Sequence, residues 1–372
     1  MDKQQLNQAI DRICKGTADD ADFVLYNTFC RIKQDKGIPL SETLLNQKKV
    51  QIFEHVSAEI IVQRRRRLYF NISKVAASVL VCLLFSIWLW NGDQVSENHE
   101  YAEIEDIQPG KSAGVLVLAD GRKIDLQSTG IGTVSDATDA SIVKTSDSTL
   151  QYKEGIVQSG GVAGTNMLIT DRGQQYQLVL PDGTKVWLNA ASTLTFPSSF
   201  HAAEKRKVQL EGEAYFEVAK DTKKPFIVET KDQKIRVYGT HFNVSSYADE
   251  GETRTTLLEG SVGINSAFIL KPGQQLKTDA KGMSSIESAN ISAAIAWRMG
   301  FFEFDDENIY QIMRKLSRWY SVEVIYKGQM PNDVMKGTIS KFENISKVLT
   351  VIEQTELLKF EIKDRTVIVT KR

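Results

Sequence analysis

Eighteen consecutive residues without a charge, VAASVLVCLLFSIWLWNG at 75–92, constrain this chain more than any other feature. At about 1.5 Å per helical residue they cover roughly 27 Å, close to the hydrocarbon thickness of a bilayer. Trp88 and Trp90 stand at the far end, where aromatic rings favour the interface, and Lys74 at the near end can snorkel. The pattern predicts a transmembrane helix over 72–92 rather than a buried core helix. Arg64 to Arg67 and Lys74 precede the span, whereas Asp93, Glu97, Glu100, Glu103, Glu105 and Asp106 follow it with no cation before Lys111. Positive charge stays on the cytoplasmic side, so the N-terminus is expected in the cytoplasm and residues 93–372 outside it. A cleaved signal peptide is not expected, because the apolar run starts too late and no small-residue cleavage pattern follows.

Hydrophobic residues make up 42% and charged residues 25%, which fits neither wholesale disorder nor a multi-span membrane protein. Residues 1–67 hold 12 Lys/Arg against 9 Asp/Glu, and four of those cations are the Arg run. Too few remain to neutralise a row of phosphates, so direct nucleic-acid binding is excluded. Leu6, Ile10 and Ile13, then Leu25, Phe29 and Ile32, then Leu45, Ile52, Phe53, Val56 and Ile60 recur at helical spacing. They predict a small α-helical domain over 1–67. A domain of this size is marginal alone, which makes its apolar faces candidates for a partner. The three cysteines, Cys14, Cys30 and Cys82, leave none in the large external part, which is therefore not a disulfide scaffold.

After the span, residues 93–108 are acidic and polar and read as a linker. Residues 109–285 then show the alternation of an all-β domain. LVLADGRKIDLQ at 116–127 returns as LVLPDGTKVWLN at 178–189, and repeated strand, Asp-Gly turn, strand units suggest stacked hairpins or coils. In KVQLEGEAYFEVAKD at 207–221, Val208, Leu210, Gly212, Ala214, Phe216 and Val218 share one face. Glu211 and Glu213 share the other at glycosidase-like spacing, but nothing around them marks a pocket, and they read as a solvated face. Residues 298–372 give strand, helix, strand twice, a C-terminal α+β module. Its strands are too few to close a barrel, so an edge open to a partner strand is expected, the alternative being that both candidate strands are interior and recognition uses a helix face. Val322, Val324 and Tyr326 on one strand, and Val367 and Val369 on another, are the candidates. The four histidines are scattered and no CxxC, HExxH or Walker pattern occurs, so no metal or other cofactor is assigned.

LVLPDGTKVWLNAASTLTFP, VQLEGEAYFEVAKDTKKPFIVET, VYGTHFNVSSY and LKPGQQL, in this order, resemble the signature segments of the FecR-like transmembrane anti-sigma factors, regulators named for ferric-citrate signalling. The tail at 300–372 is similar to the short signalling module of secretins and TonB-dependent transducers. The resemblance implies a single-pass protein of the inner membrane whose N-terminal helices hold an extracytoplasmic-function sigma factor, through faces such as Leu25, Phe29, Ile32, Phe53 and Val56. It implies a solenoid-like periplasmic body, a C-terminal module that meets the signalling domain of an outer-membrane TonB-dependent receptor, and release by envelope and intramembrane proteases. No catalysis is expected, with one exception. In some family members the bond corresponding to Gly239-Thr240 breaks autocatalytically, by attack of the Thr hydroxyl on the preceding carbonyl; the alternative is a glycine required by an unusual backbone angle. A membrane-anchored periplasmic binding or assembly module without sigma-factor control is the other functional reading.

Overall fold

The computed structural model describes residue 8 and residues 106–136, 140–154 and 164–372. Residues 101–372 form one compact unit. Residue 8 aside, the expected helical domain 1–67, with Leu25, Phe29, Ile32, Phe53 and Val56, lies outside the described residues, as does the expected span 72–92. No helix among the described residues is long and apolar enough to cross a membrane.

Strict alternation over Arg206–Glu217 makes one long strand with an apolar inner face, and this strand organises the β body. Its first half pairs antiparallel with Ser192–Pro197 and parallel with Phe226–Glu229. Its second half pairs with Lys185–Leu188 and His241–Ser246, both antiparallel. The two halves thus belong to two sheets. Gly212 marks the change, with φ at 89°. A Cβ there would stand 2.4 Å from Ser192 Oγ and 2.8 Å from Ala191 O, so only glycine lets the strand cross. The inner faces of both sheets share one apolar core, from Leu116, Leu168 and Leu194 on one side to Leu178, Phe216 and Phe242 on the other.

The repeated segments adopt the same turn. Leu118 N donates to Arg122 O and Gly121 N to Leu118 O, as Leu180 N does to Thr184 O and Gly183 N to Leu180 O, all at 2.8 to 2.9 Å. Gly121 and Gly183 take φ values of 84° and 83°. This is a three-residue hairpin loop closed by a left-handed glycine. The two hairpins do not stack, however: one lies in the sheet of Ser192–Pro197, the other in the sheet of His241–Ser246. The expectation of a solenoid-like body is corrected accordingly. Most ladders of the β body are antiparallel, many of them between strands distant in the chain, so the chain reverses direction from strand to strand instead of winding into superposed parallel coils.

Three helices follow the β body: α1 (Ile291–Met299), α2 (Ile309–Tyr320) and α3 (Ile345–Glu353). Asn308 and Gln311 form a capping box at the start of α2. The helix buries Ile309, Ile312, Met313 and Leu316, the face that the spacing predicts. Ile345, Val348, Leu349 and Ile352 of α3 enter the same cluster. Phe301–Asn308 pairs with Val334–Ser340. Thr366–Lys371 lies between Glu323–Lys327, to which it is parallel, and Leu358–Lys363, to which it is antiparallel. The order strand, helix, strand occurs twice, with Thr366–Lys371 added at the end.

The end of the acidic stretch is not a free tether. Ile107 is buried in the core of the C-terminal module, and Lys111–Ser112 pairs parallel with Gln174–Gln175 of the β body.

Candidate functional site

Four cations fasten the C-terminal module to the β body. Arg318, in the last turn of α2, is almost wholly buried. Its guanidinium reaches both Asp249 oxygens at 3.1 Å, bonds Glu250 and stacks 3.8 Å from the Tyr247 ring centroid. Asp249 and Glu250 are presented by a one-turn 3-10 helix, Ala248–Glu250. Tyr247 in turn donates its hydroxyl to Ala190 O at 2.8 Å, and burial pushes that phenol well above its ordinary range.

Arg172 works from the other side. It pairs with Glu323 at 2.6 Å and donates to the carbonyls of Ser317 and Val322, so it holds the end of α2 and the start of the next strand together. Arg298 of α1 lies 4.1 Å from the Trp187 ring centroid and 4.3 Å from that of Tyr215, and pairs with Glu217 at 2.9 Å. Lys341 donates to Gln175 Oε1 at 2.7 Å and to Trp297 O at 3.1 Å, with its ammonium 3.5 Å from the Trp319 ring centroid. Glu213 accepts from Asn189 at 2.8 Å and from Asn243 at 2.9 Å. Burial raises its carboxyl above the usual carboxylate range. Of the pair Glu211 and Glu213, then, the first is exposed and the second belongs to this seam.

A cavity of about 440 Å³ opens along the seam, bordered by Glu213, Asn243, Arg254, Trp297 and Lys341. Its charges answer one another: Lys277 pairs with Glu287, Lys315 with Glu307 and Arg318 with Glu250. No group of three or more His, Cys, Asp and Glu among the described residues could hold a metal ion.

Burial pushes the Lys341 amine from 10.5 down to about 7. Between those values the unfolded chain binds a proton that the folded chain has released. Stability therefore rises with pH across the window from about 7 to 10.5 and gains nothing more from this group above it. In Lys341→Met that contribution is expected to vanish, so the urea midpoint climbs less steeply with pH than in the parent. Parallel pH profiles for the two proteins would show that Lys341 carries no such linkage.

Of the expected receptor-binding residues, Val322 is buried beyond the end of α2, and Val324 and Tyr326 face inward, Tyr326 with its ring 4.7 Å from that of Tyr310. Val367 and Val369 are fully buried on the central strand, which is paired on both sides and leaves no edge. Of the two candidate strands, Glu323–Lys327 is the outer one; Leu358–Lys363 forms the opposite edge of the same sheet. Glu323 N donates to Arg365 O, toward the central strand, so the N–H groups of Val324 and Tyr326, alternate in the pleat, point to the open side. Ile325, absent from the sequence candidates, is about half exposed on this strand.

Gly239 has φ of 146°, and a Cβ there would lie 2.9 Å from Lys220 Cα. Thr240 is buried and donates its hydroxyl to Ser261 O at 3.2 Å. The seam residues Arg318, Arg172, Arg298 and Lys341 carry no signal in the sequence beyond charge, since their hydrogen-bonded partners lie 44 to 166 positions away.

Comparison with known proteins gives two family matches: residues 166–263 with the family described as FecR protein, and residues 301–369 with that described as FecR, C-terminal. Two crystal structures of a candidate anti-sigma factor from Parabacteroides distasonis, at 1.65 Å and 2.50 Å, are similar to this chain at 26% identity. The likeness covers 55% and 56% of this chain and 99% of each solved chain, with TM-scores of 0.52 and 0.53. Among curated proteins there is no match.

Proposed function

The chain is FecR-like across residues 166–263 and 301–369, and from that premise we propose that it is a single-pass inner-membrane anti-sigma factor. Residues 1–67 hold an extracytoplasmic-function sigma factor in the cytoplasm, through a face that includes Leu25, Phe29, Ile32, Phe53 and Val56. Residues 72–92 cross the membrane. The β body and C-terminal module stand in the periplasm, where the signalling domain of a TonB-dependent receptor adds a strand beside Glu323–Lys327. Envelope and intramembrane proteases then release the sigma factor. The 26% identity to a candidate anti-sigma factor over nearly its whole solved chain supports the regulatory role.

The observation that carries the relay is the position of Glu323. It begins the open edge strand and is also the residue that Arg172 of the β body grips. A strand added at this edge acts on the same short segment that fastens the module. The test is Val324→Pro, which removes an outward N–H and spares the ladder to Thr366–Lys371. The expected result is loss of receptor-domain capture, with sigma-factor capture by the same full-length protein unchanged. Normal capture of the receptor domain by folded Val324→Pro would refute edge pairing, and absence of any bound sigma factor in the parent would refute the anti-sigma reading.

The Gly239-Thr240 bond is proposed to remain intact, with Gly239 serving the backbone angle and the approach to Lys220. Its hydroxyl neighbour is engaged by a carbonyl oxygen, which is a poor base. A single full-length band on a denaturing gel is expected for both the parent and Thr240→Ala. Two fragments in the parent that vanish in the variant would assign Thr240 as a nucleophile instead.

A further inference from the structure

We propose that Asp106–Gly110 is a masked cleavage segment, a strap held shut by the C-terminal module and opened when the module loosens. This inference rests on the reading above, in which the chain N-terminal to the strap leads to the membrane.

The strap begins by completing a helix far away in sequence. Asn344 stands at the N-cap of α3, yet its side chain makes no capping bond. The first N–H groups of α3 find their partners in the strap: Ile345 N donates to Ile107 O at 3.1 Å and Ser346 N to Asp106 Oδ1 at 3.4 Å. Ser346 Oγ adds a bond to Asp106 Oδ2 at 2.6 Å. A carboxylate at a helix N-terminus is favoured both by these bonds and by the helix dipole. Next, the Ile107 side chain is buried among the apolar residues of the module. Gly110 then passes so close to the Trp319 indole that a Cβ would fall 2.8 Å from it and 2.7 Å from Gly173 O.

Beyond Gly110 the chain changes hosts. Lys111 N donates to Gly173 O at 2.8 Å and Ala113 N to Gln175 O at 3.1 Å, both in the β body. The two halves of the segment therefore depend on different bodies. If the module moves away from the β body, Ile107 loses its site and Asp106 its partners, while Lys111 and Ser112 remain in their ladder. What opens is a short extended stretch anchored on one side, the form in which an endoprotease binds a substrate strand. The seam sits at the same place: Gly173 N donates to Arg318 O at 2.7 Å, so loss of the Arg318 contacts disturbs the support of the strap directly.

The test uses the full-length protein in detergent micelles, with proteinase K as probe and cleavage sites read by mass spectrometry. Burial of the Ile107 side chain in the module holds the strap shut, so Ile107→Asp is expected to raise the cutting rate within 106–110 by about tenfold or more. Hydrogen-exchange protection of Thr366–Lys371 should persist in that variant, which shows that the module is still folded. A second arm does not depend on that outcome. In a chain carrying Cys14→Ser, Cys30→Ser and Cys82→Ser, the pair Asp106→Cys and Ser346→Cys is oxidised to a disulfide. The disulfide is expected to suppress the extra cutting that Arg318→Ala causes, and its reduction to restore it. Unchanged cutting within 106–110 in both Ile107→Asp and Arg318→Ala would overturn the proposal, as would acceleration that the disulfide leaves untouched. No sigma factor enters the assay, so this inference and the anti-sigma reading fail by separate results.

Discussion

Gly212→Ala is expected to cost at least about 3 kcal/mol, a large part of the stability of an ordinary domain. Two penalties add at this site. An alanine at φ of 89° takes a left-handed conformation, which costs about 1 to 2 kcal/mol. Its Cβ also arrives 2.8 Å from both Ala191 O and Ser192 Cα, which are backbone atoms that cannot rotate aside. Gly282→Ala separates the terms. Gly282 has φ of 81° but nothing within 4 Å of the added Cβ, so it pays the backbone penalty alone. Urea unfolding followed by far-ultraviolet circular dichroism should place Gly282→Ala about 1 to 2 kcal/mol below the parent and Gly212→Ala well below both. Equal shifts for the two variants would mean that the crossing of the long strand does not require glycine for space.

The second large effect is expected at Arg318. Its side chain is 10% exposed and that of Glu250 17%, so Arg318→Ala leaves a carboxylate poorly solvated and facing Asp249. Breaking a buried pair from one side costs about 3 to 5 kcal/mol, mostly through the charge left behind. The loss should be local to the seam. Hydrogen exchange is expected to accelerate at the end of α2 and in residues 247–250, while the core around Phe216 and Phe242 keeps its protection. Arg318→Lys should recover only part of the loss, because an ammonium cannot bridge two carboxylates in a fork and covers the Tyr247 ring poorly. Full protection in Arg318→Ala would show that the seam is held elsewhere.

Much of the fold is legible in the sequence because one face of each element is wet. Val208, Leu210, Ala214 and Phe216 alternate with polar residues and are buried as that alternation requires. The Asp-Gly turns and the apolar faces of α2 and α3 follow from equally local rules. The seam is not legible for the opposite reason. Arg172, Arg318 and Lys341 look like any solvated cations, and their burial depends on residues brought up by the whole fold. Ile107 sits in an acidic run that reads as a tether, and one isoleucine sets no period. The edge strand could not be chosen either: Val322–Tyr326 and Thr366–Thr370 are alike in composition, and only pairing on both sides makes the second central. The repeat at 116–127 and 178–189 was legible as two hairpins, but not their placement in separate sheets, which the bend at Gly212 decides.

The capping of α3 by Asp106 also fixes an order of events at birth. The two partners are 240 positions apart, so a chain emerging at about 5 to 20 residues per second exposes Asp106 for roughly 10 to 50 s before Ser346 exists. Every copy passes through an unfastened infancy, and a chain cut short before residue 345 never leaves it. Any peptidase able to cut this stretch thereby removes incomplete copies without needing a separate means of recognising them.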